Sequence, residues 1–293
     1  VKIISIDSTI ESDLKLSNNN GAVESINGYQ LGIVGAGSVS ASQITFPSNS
    51  ENTTSKTALG LDTAIKNIEG KAVSNNPTNR EYFDINVRVC TTLFEQCLAY
   101  KDSIKGVVHL SSLAAAGPGK EGKLVDEATP LSPLTFYGQS KKAGEEVALK
   151  YSASLPIKVI RPPVVYGPRE ENLYTFFKLI KKGWGLQIGR SPKKLSLLYV
   201  ADLVKAMIAV CNPRSSRKKI YFVTDGETYS WEEVAKAAAH KMNVSMKAVL
   251  IPESILIPIA IFFEALAMLS TKPALFDRQR MIDIRQSCWT ASS

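Results

Sequence analysis

Cysteine and histidine are scarce in this chain. The four cysteines, Cys90, Cys97, Cys211 and Cys288, form no Cys-x-x-Cys pair, and the two histidines, His109 and His240, stand far apart. Such a set does not build a zinc site, so no metal is expected. Cys90 and Cys97 are seven apart on an expected helix, which suits core packing in a reducing compartment and a cytoplasmic location. Long apolar runs are missing too. The stretch from Ile255 to Leu269 is shorter than the ~18 to 20 residues of a membrane span and contains Pro258 and Glu264. It reads as a helix covering a core or a substrate, with peripheral membrane contact through 255–269 left open. No signal peptide opens the sequence. The net charge is +8, carried by short clusters such as Lys181-Lys182, Lys193-Lys194 and Arg217-Lys218-Lys219. Aromatic residues do not interleave with them, so solvated faces account for the charge and nucleic acid is not an expected partner.

With 293 residues, 44% of them apolar, the chain can bury a full core and form one large or two intimate domains. From about residue 80 onward, strand and helix patterns alternate in the α/β manner. Helical periodicity covers 81–100, 137–151, 173–182 and 200–210. Strands are expected at 106–110, 156–161 and 219–224. Ser230 precedes Glu233 with capping-box spacing, so a helix should begin at Trp231.

The first 79 residues are of another character: rich in Ser and Asn, and without arginine until Arg80. A dinucleotide fold wants a strand followed by a glycine turn, where backbone can approach a pyrophosphate. After the strand-like Val1 to Ile6 come Asp7 and, further on, Asp13, whose charges would repel a diphosphate. The other place is Leu31 to Ser40, with Gly35 and Gly37 but Ser40 where a third glycine is expected. As a fingerprint this is weak, and an ordinary glycine-rich loop accounts for it.

The strongest chemical signal is Tyr137 and Lys141, in Phe-Tyr-Gly-Gln-Ser-Lys-Lys-Ala-Gly-Glu, with Ser111-Ser112 ending an apolar run 25 residues upstream of the tyrosine. Positions i and i+4 share a helix face, so an ammonium beside the phenol would favour its ionised form and make a usable base near neutrality. A serine hydroxyl would hold the substrate oxygen, and a nicotinamide would exchange hydride with the substrate. The spacing alone does not discriminate, because Tyr174 and Lys178 repeat it. Only Tyr137 follows a strand-like run ending in small polar residues.

Ser111-Ser112, Tyr137-x-x-x-Lys141 and Arg161-Pro-Pro-Val-Val-Tyr-Gly-Pro168, together with Asp84-Ile-Asn86-Val and Leu195-Ser-Leu-Leu-Tyr-Val-Ala-Asp202, resemble the extended short-chain dehydrogenase/reductase family, also called the NAD-dependent epimerase/dehydratase family. The resemblance runs from about Asn79 to the end. It implies an α/β fold: a Rossmann-like, doubly wound parallel sheet over 1–160, with 1–79 atypical. A smaller C-terminal substrate-binding region over 161–293 would follow, and 195–225 would return to the sheet. It implies Tyr137 as proton donor or acceptor, Lys141 as its electrostatic partner and ribose anchor, Ser112 as the donor to the substrate oxygen, and Asn86 as a support. Ser111, Pro162, Val164 and Val165, with Gly35 and Gly37, would contact NAD or NADP. Leu113-Ala114 stand where family dehydratases carry an Asp-Glu pair, and Ser-Ser-x-x-x-Ala-Gly-Pro is similar to the 3β-hydroxysteroid dehydrogenase branch. The expected activity is hydride transfer to or from a secondary alcohol or ketone, on a hydroxysteroid-like or sugar-nucleotide substrate. A nucleotide-sugar epimerase and a non-catalytic binding or scaffold descendant, a fragment or degenerate copy without the glycine turn, are the alternatives. A homodimer through the helices containing 90–100 and 137–151 also follows from the resemblance.

Overall fold

A computed structural model of the chain describes residues 79–120, 122–168, 170–212, 218–268 and 278–292. The candidate cofactor loop with Gly35 and Gly37 lies outside the described residues, as do Asp7 and Asp13.

Three short strands, β1 (Val107–Leu110), β2 (Ile157–Arg161) and, much later, β7 (Ile220–Phe222), form a parallel sheet in the order β1-β2-β7. Successive side chains on a strand point to opposite faces, and both faces here are covered. Ile157 and Val159 join Cys90, Phe94 and Ala148 in one core cluster. Val108 and Ile160 join Leu198, Leu203 and Met207 in another. The first cluster is supplied by α2 (Cys90–Leu98) and α4 (Phe136–Tyr151), the second by α6 (Val200–Cys211). Parallel strands with helices on both faces make the fold α/β and Rossmann-like.

The expected elements appear close to their places. The helix expected over 81–100 is continuous but not uniform: α1 (Asn79–Phe83) passes through a π-helical turn, Asp84–Val89, into α2. A short α3 (Leu113–Ala116) follows β1. Ser230 caps α7 (Trp231–Lys241) with both hydrogen bonds of the capping box formed. Smaller sheets make up the rest: β3 (Val164–Tyr166) with β6 (Leu197–Tyr199), β4 (Trp184–Ile188) with β9 (Lys247–Ile251), and β5 (Lys194–Leu195) between β8 (Tyr229–Ser230) and β10 (Cys288–Trp289). The helices α5 (Glu171–Lys181), α8 (Leu256–Met268) and α9 (Arg278–Arg285) complete the described residues.

The apolar segment after Ile255 does form a helix, α8, and its first turns are only partly covered. Leu256 and Ala260 pack with Met281 of α9, whereas Ile261 and Phe262 are exposed. No helix among the described residues is long and apolar enough to cross a membrane.

At Gly144 α4 approaches the π-helical turn closely: a Cβ there would lie 2.5 Å from the Asn86 carbonyl oxygen. Glycine to alanine inside a helix normally stabilises by about 1 kcal/mol. Here backbone stands in the way, so Gly144→Ala should destabilise by on the order of 1–3 kcal/mol, read as a lower urea midpoint. A higher midpoint would mean that the two elements do not approach as described.

Candidate active site

The strand alternation that builds the core also builds the site. Val107, His109 and Ser111 lie on the α4 side of β1, and Ile157, Val159 and Arg161 on the α4 side of β2. As each strand runs to its carboxyl end, its α4-facing residues change from apolar to polar. Ligands of open α/β sheets bind outside those carboxyl ends.

Thr135 caps α4, its hydroxyl accepting from the Gly138 amide at 3.3 Å. The capped helix buries Lys141, Gly144, Glu145 and Ala148, spaced i, i+3, i+4, i+7 and so forming one face. Tyr137 stands one turn before Lys141 on that face. Ser112, the N-cap of α3, accepts from the Ala114 amide at 3.1 Å and hydrogen-bonds Tyr137. Lys141 Nζ donates to the Leu110 carbonyl at 3.2 Å and lies 5.7 Å from the centre of the Tyr137 ring. The structure thus brings Ser112, Tyr137 and Lys141 together.

Asn86 joins them from the π-helical turn. Its Nδ2 donates to Ser140 Oγ at 2.9 Å, and Ser140 donates to the Tyr137 carbonyl at 2.8 Å. The buried Oδ1 of Asn86 has no hydrogen-bond partner. Ser111 is turned away from Ser112: its hydroxyl donates to Glu145 Oε1 at 2.5 Å. The Pro162 carbonyl accepts from the Leu113 amide at 2.8 Å, which places the start of the Pro162-Pro163 turn beside Ser112. Val164 and Val165 belong to β3, paired with Leu197 and Leu198, and Val165 packs against the core cluster around Ile160.

The electrostatics differ from the sequence expectation in one respect. The phenol was expected to be drawn toward ionisation by Lys141, yet its pKa is raised. Desolvation of the hydroxyl is the largest cause, the hydrogen bond with Ser112 opposes it, and the carboxylate of Asp283 adds to the rise. Tyr137 as a whole is half-buried, and its hydroxyl hydrogen-bonds Ser112. Lys141, 1% exposed, has its pKa pushed down to about 8 by burial, with Cys90 and Glu145 opposing. Burial, helped by Lys141, pushes His109 down to about 3, and neither of its ring nitrogens has a hydrogen-bond partner.

Four neighbours of the site escaped sequence reasoning. His109 and Arg161 are polar residues at alternating positions of otherwise apolar strands, and that alternation was the available signal. Glu145 was legible only as the residue four after Lys141. Asp283, on α9 far along the chain, gave no signal at all; its proximity to Tyr137 is a product of the tertiary fold.

The cofactor half that the described residues could hold is the nicotinamide end. Three features fit it: a tyrosine–lysine face on α4, a serine at the carboxyl end of β1, and an orphaned buried amide oxygen on Asn86. The residues expected to meet the pyrophosphate lie outside the described residues.

Comparison with known proteins follows the same lines. The sequence profile of the NAD dependent epimerase/dehydratase family matches residues 53–223, more than half of the chain. The chain is 25% identical over 183 residues to the ceramide reductase of Caulobacter vibrioides, covering 61% of this chain and 56% of that protein. It is 24% identical over 198 residues to N-acetyl-alpha-D-glucosaminyl-diphospho-ditrans,octacis-undecaprenol 4-epimerase of Escherichia coli O157:H7, covering 66% and 58%. The chain therefore spans somewhat over half the length of these curated relatives. Among solved structures, the UDP-glucose 4-epimerase of Thermus thermophilus, in complex with NAD, superposes with a TM-score of 0.51 at 26% identity over 58% of each chain.

Two stability predictions arise from the buried titratable groups. Folding disfavours the charged form of Lys141, so Lys141→Met should raise stability by on the order of 1–3 kcal/mol, seen as a higher Tm; a lower Tm would show that the ammonium is well compensated. His109 is neutral in the folded chain, with a pKa depressed to about 3 from 6.5. Its contribution is fully present above pH 6.5 and is lost as pH falls toward 3, because the unfolded chain takes up the proton first. His109→Leu should flatten the acid limb of stability against pH in that window, and an unchanged limb would place the acid sensitivity elsewhere.

Proposed function

The chain belongs to the NAD dependent epimerase/dehydratase family, and on that premise we propose that it is a nicotinamide-dependent reductase of a ketone on an apolar, lipid-like substrate. The observation that carries the reading is the contact of Ser112 with Tyr137 above a buried Lys141. A phenol whose pKa is raised is protonated at neutral pH, which suits a proton donor and hence the direction from carbonyl to alcohol.

In this reading Ser112 donates a hydrogen bond to the substrate carbonyl oxygen and orients it against Tyr137. Tyr137 gives its proton to that oxygen as the carbonyl carbon is reduced. Lys141, held by the Leu110 carbonyl, supplies positive charge near the phenolate left behind. Asn86, through Ser140, fixes the first turn of α4 and so the position of Tyr137. The reduced nicotinamide, when bound, supplies the hydride. The reverse reaction uses the same groups, with the phenolate as base.

Leu113-Ala114 follow Ser112 where dehydration chemistry would want acids, which disfavours dehydration of a sugar nucleotide. An apolar substrate is favoured by the likeness of Ser-Ser-x-x-x-Ala-Gly-Pro to the 3β-hydroxysteroid dehydrogenase branch and by one relative that reduces, by its name, a ceramide. Epimerisation of a sugar is the second reading, favoured by the names of the other relatives; it would use Tyr137 as base and then as acid.

Thermal unfolding with NAD, NADH, NADP and NADPH tests the cofactor, since a ligand bound only by the folded state raises its Tm with concentration. A rise with at least one of the four is expected; none in a cooperatively unfolding protein would favour the non-catalytic alternative. Tyr137→Phe should keep the fold and its Tm, while lowering reduction of keto-lipids, followed by loss of reduced nicotinamide, by about 100-fold or more. A phenylalanine variant that still turns over would rule out Tyr137 as the proton donor.

A further inference from the structure

Apolar surface and positive charge that the reaction above does not use meet around the sheet of β4 and β9. Alternate residues of a strand share a face. Ile188 and Ile251, opposite each other in this parallel pair, pack with Leu256 and Ala260 of α8. Trp184 and Lys247, also opposite each other and an even number of residues earlier, therefore stand on the α8 side of the sheet. Trp184 is 50% exposed, and Lys181, Lys182 and Lys247 are exposed as well. The Lys247 amide donates to the Gly183 carbonyl at 2.9 Å, which fixes Lys247 beside the turn between Lys182 and Trp184.

The apolar part comes from α8. A helix that is apolar on all sides is normally buried, and Glu264 is the one charged residue from Leu256 to Met268. Its carboxylate accepts from the Arg278 amide and from Arg278 Nε, both at 2.8 Å, and is thereby turned to α9. Leu256 and Ala260 are turned to the core. On the opposite arc Pro258, Ile261 and Phe262, spaced i, i+3, i+4, are exposed, Ile261 by 50% and Phe262 by 64%. Phe263 meets the Phe262 ring edge-on at 5.8 Å, and Ile255, exposed just before the helix, extends the stripe.

Charge decides what such a face would meet. Residues 171–293 carry 18 Lys and Arg against 10 Asp and Glu, so the whole net charge of +8 lies in that part of the chain. From Leu173 to Ala201 there is no acidic residue. A second copy on the same patch would bring lysines against lysines, since a two-fold interface sets a patch on itself. An anionic bilayer surface is the complement: it offers phosphates to the lysines, and a headgroup boundary to a tryptophan and to an apolar helix lying in the plane.

We propose that this face docks on an anionic lipid surface, with Ile261, Phe262 and Trp184 entering the headgroup boundary and Lys181, Lys182 and Lys247 meeting lipid phosphates. Docking of this kind does not depend on the reaction proposed above, but it would hold the chain where a keto-lipid partitions.

Flotation of the full chain with vesicles of phosphatidylcholine, alone or mixed with phosphatidylglycerol, tests the proposal. The chain should float with the mixed vesicles and much less with the neutral ones, and added salt should weaken binding. I261S/F262S changes two exposed positions, so it should keep the wild-type Tm while lowering the bound-to-free ratio by about tenfold or more. K181Q/K182Q should lower that ratio on mixed vesicles by about tenfold and leave it unchanged on neutral ones. Tryptophan emission should move to the blue when mixed vesicles are added, and the shift should be lost in Trp184→Phe. A wild-type chain that stays in solution with both vesicles overturns the proposal, and so do variants that float as the wild type does. A dimer that becomes monomeric in I261S/F262S, without flotation, would assign the face to a second copy and overturns it equally. The nicotinamide and Tyr137→Phe measurements read the reaction separately, so either reading can fail alone.

Discussion

The ion pair between Glu145 and Arg161 is the joint between α4 and the parallel sheet among the described residues. It ties the middle of α4 to the carboxyl end of β2, and the Ser111 hydroxyl ties the same carboxylate to the end of β1. Taking two charges out of water costs several kcal/mol per ion, and their attraction offsets that only when geometry is good and the remaining lone pairs are used. Here the carboxylate accepts from Arg161 through both oxygens and from Ser111 as well, while Arg161 Nη1 stays without a partner. An apolar pair could pack the same space, but it could not set the register between helix and strand ends as narrowly. Registry of this kind is the best attested use of buried charge.

From that joint the site is assembled by simple periodicities. A helix repeats its face every three or four residues and a strand every two. Lys141, Gly144, Glu145 and Ala148 therefore meet His109, Ser111, Val159 and Arg161 along one seam. The seam is apolar at its far end, around Phe94 and Ala148, and polar at the strand carboxyl ends. Gly144 lets the π-helical turn approach from the other side and deliver Asn86. A π-helical turn inside an otherwise α-helical run is a device often found at functional sites, and here it brings Asn86 against the first turn of α4.

The two tyrosine–lysine pairs show what a motif does and does not carry. Lys178 lies 5.2 Å from the centre of the Tyr174 ring, slightly closer than Lys141 lies to Tyr137. The pairs differ in surroundings: Tyr174 is 60% exposed on α5, whereas Tyr137 is half-buried, its hydroxyl meets Ser112 and its lysine is buried. Water and salt screen the first pair. The second pair has its lysine buried, where such screening is much weaker. Chemistry follows burial, and spacing only permits it.

The sequence by itself determined the local elements from about residue 80 onward, the capping of α7 and the parallel α/β class, and it singled out Ser112, Tyr137 and Lys141 as candidates. The elements depend on short-range periodicity and turn residues; the three candidates depend on an order of motifs along the chain, since side chains four apart on one helix also occur at Tyr174 and Lys178. Tertiary structure decided the rest. It placed Asp283 near Tyr137 across more than a hundred residues, paired Glu145 with Arg161, turned Ser111 away from Ser112, and left the first turns of α8 only partly covered. It also reversed the expected shift of the phenol, since the pKa of a buried group is set mainly by how much water its neighbours exclude. That quantity belongs to the packing of distant segments, and no local pattern records it.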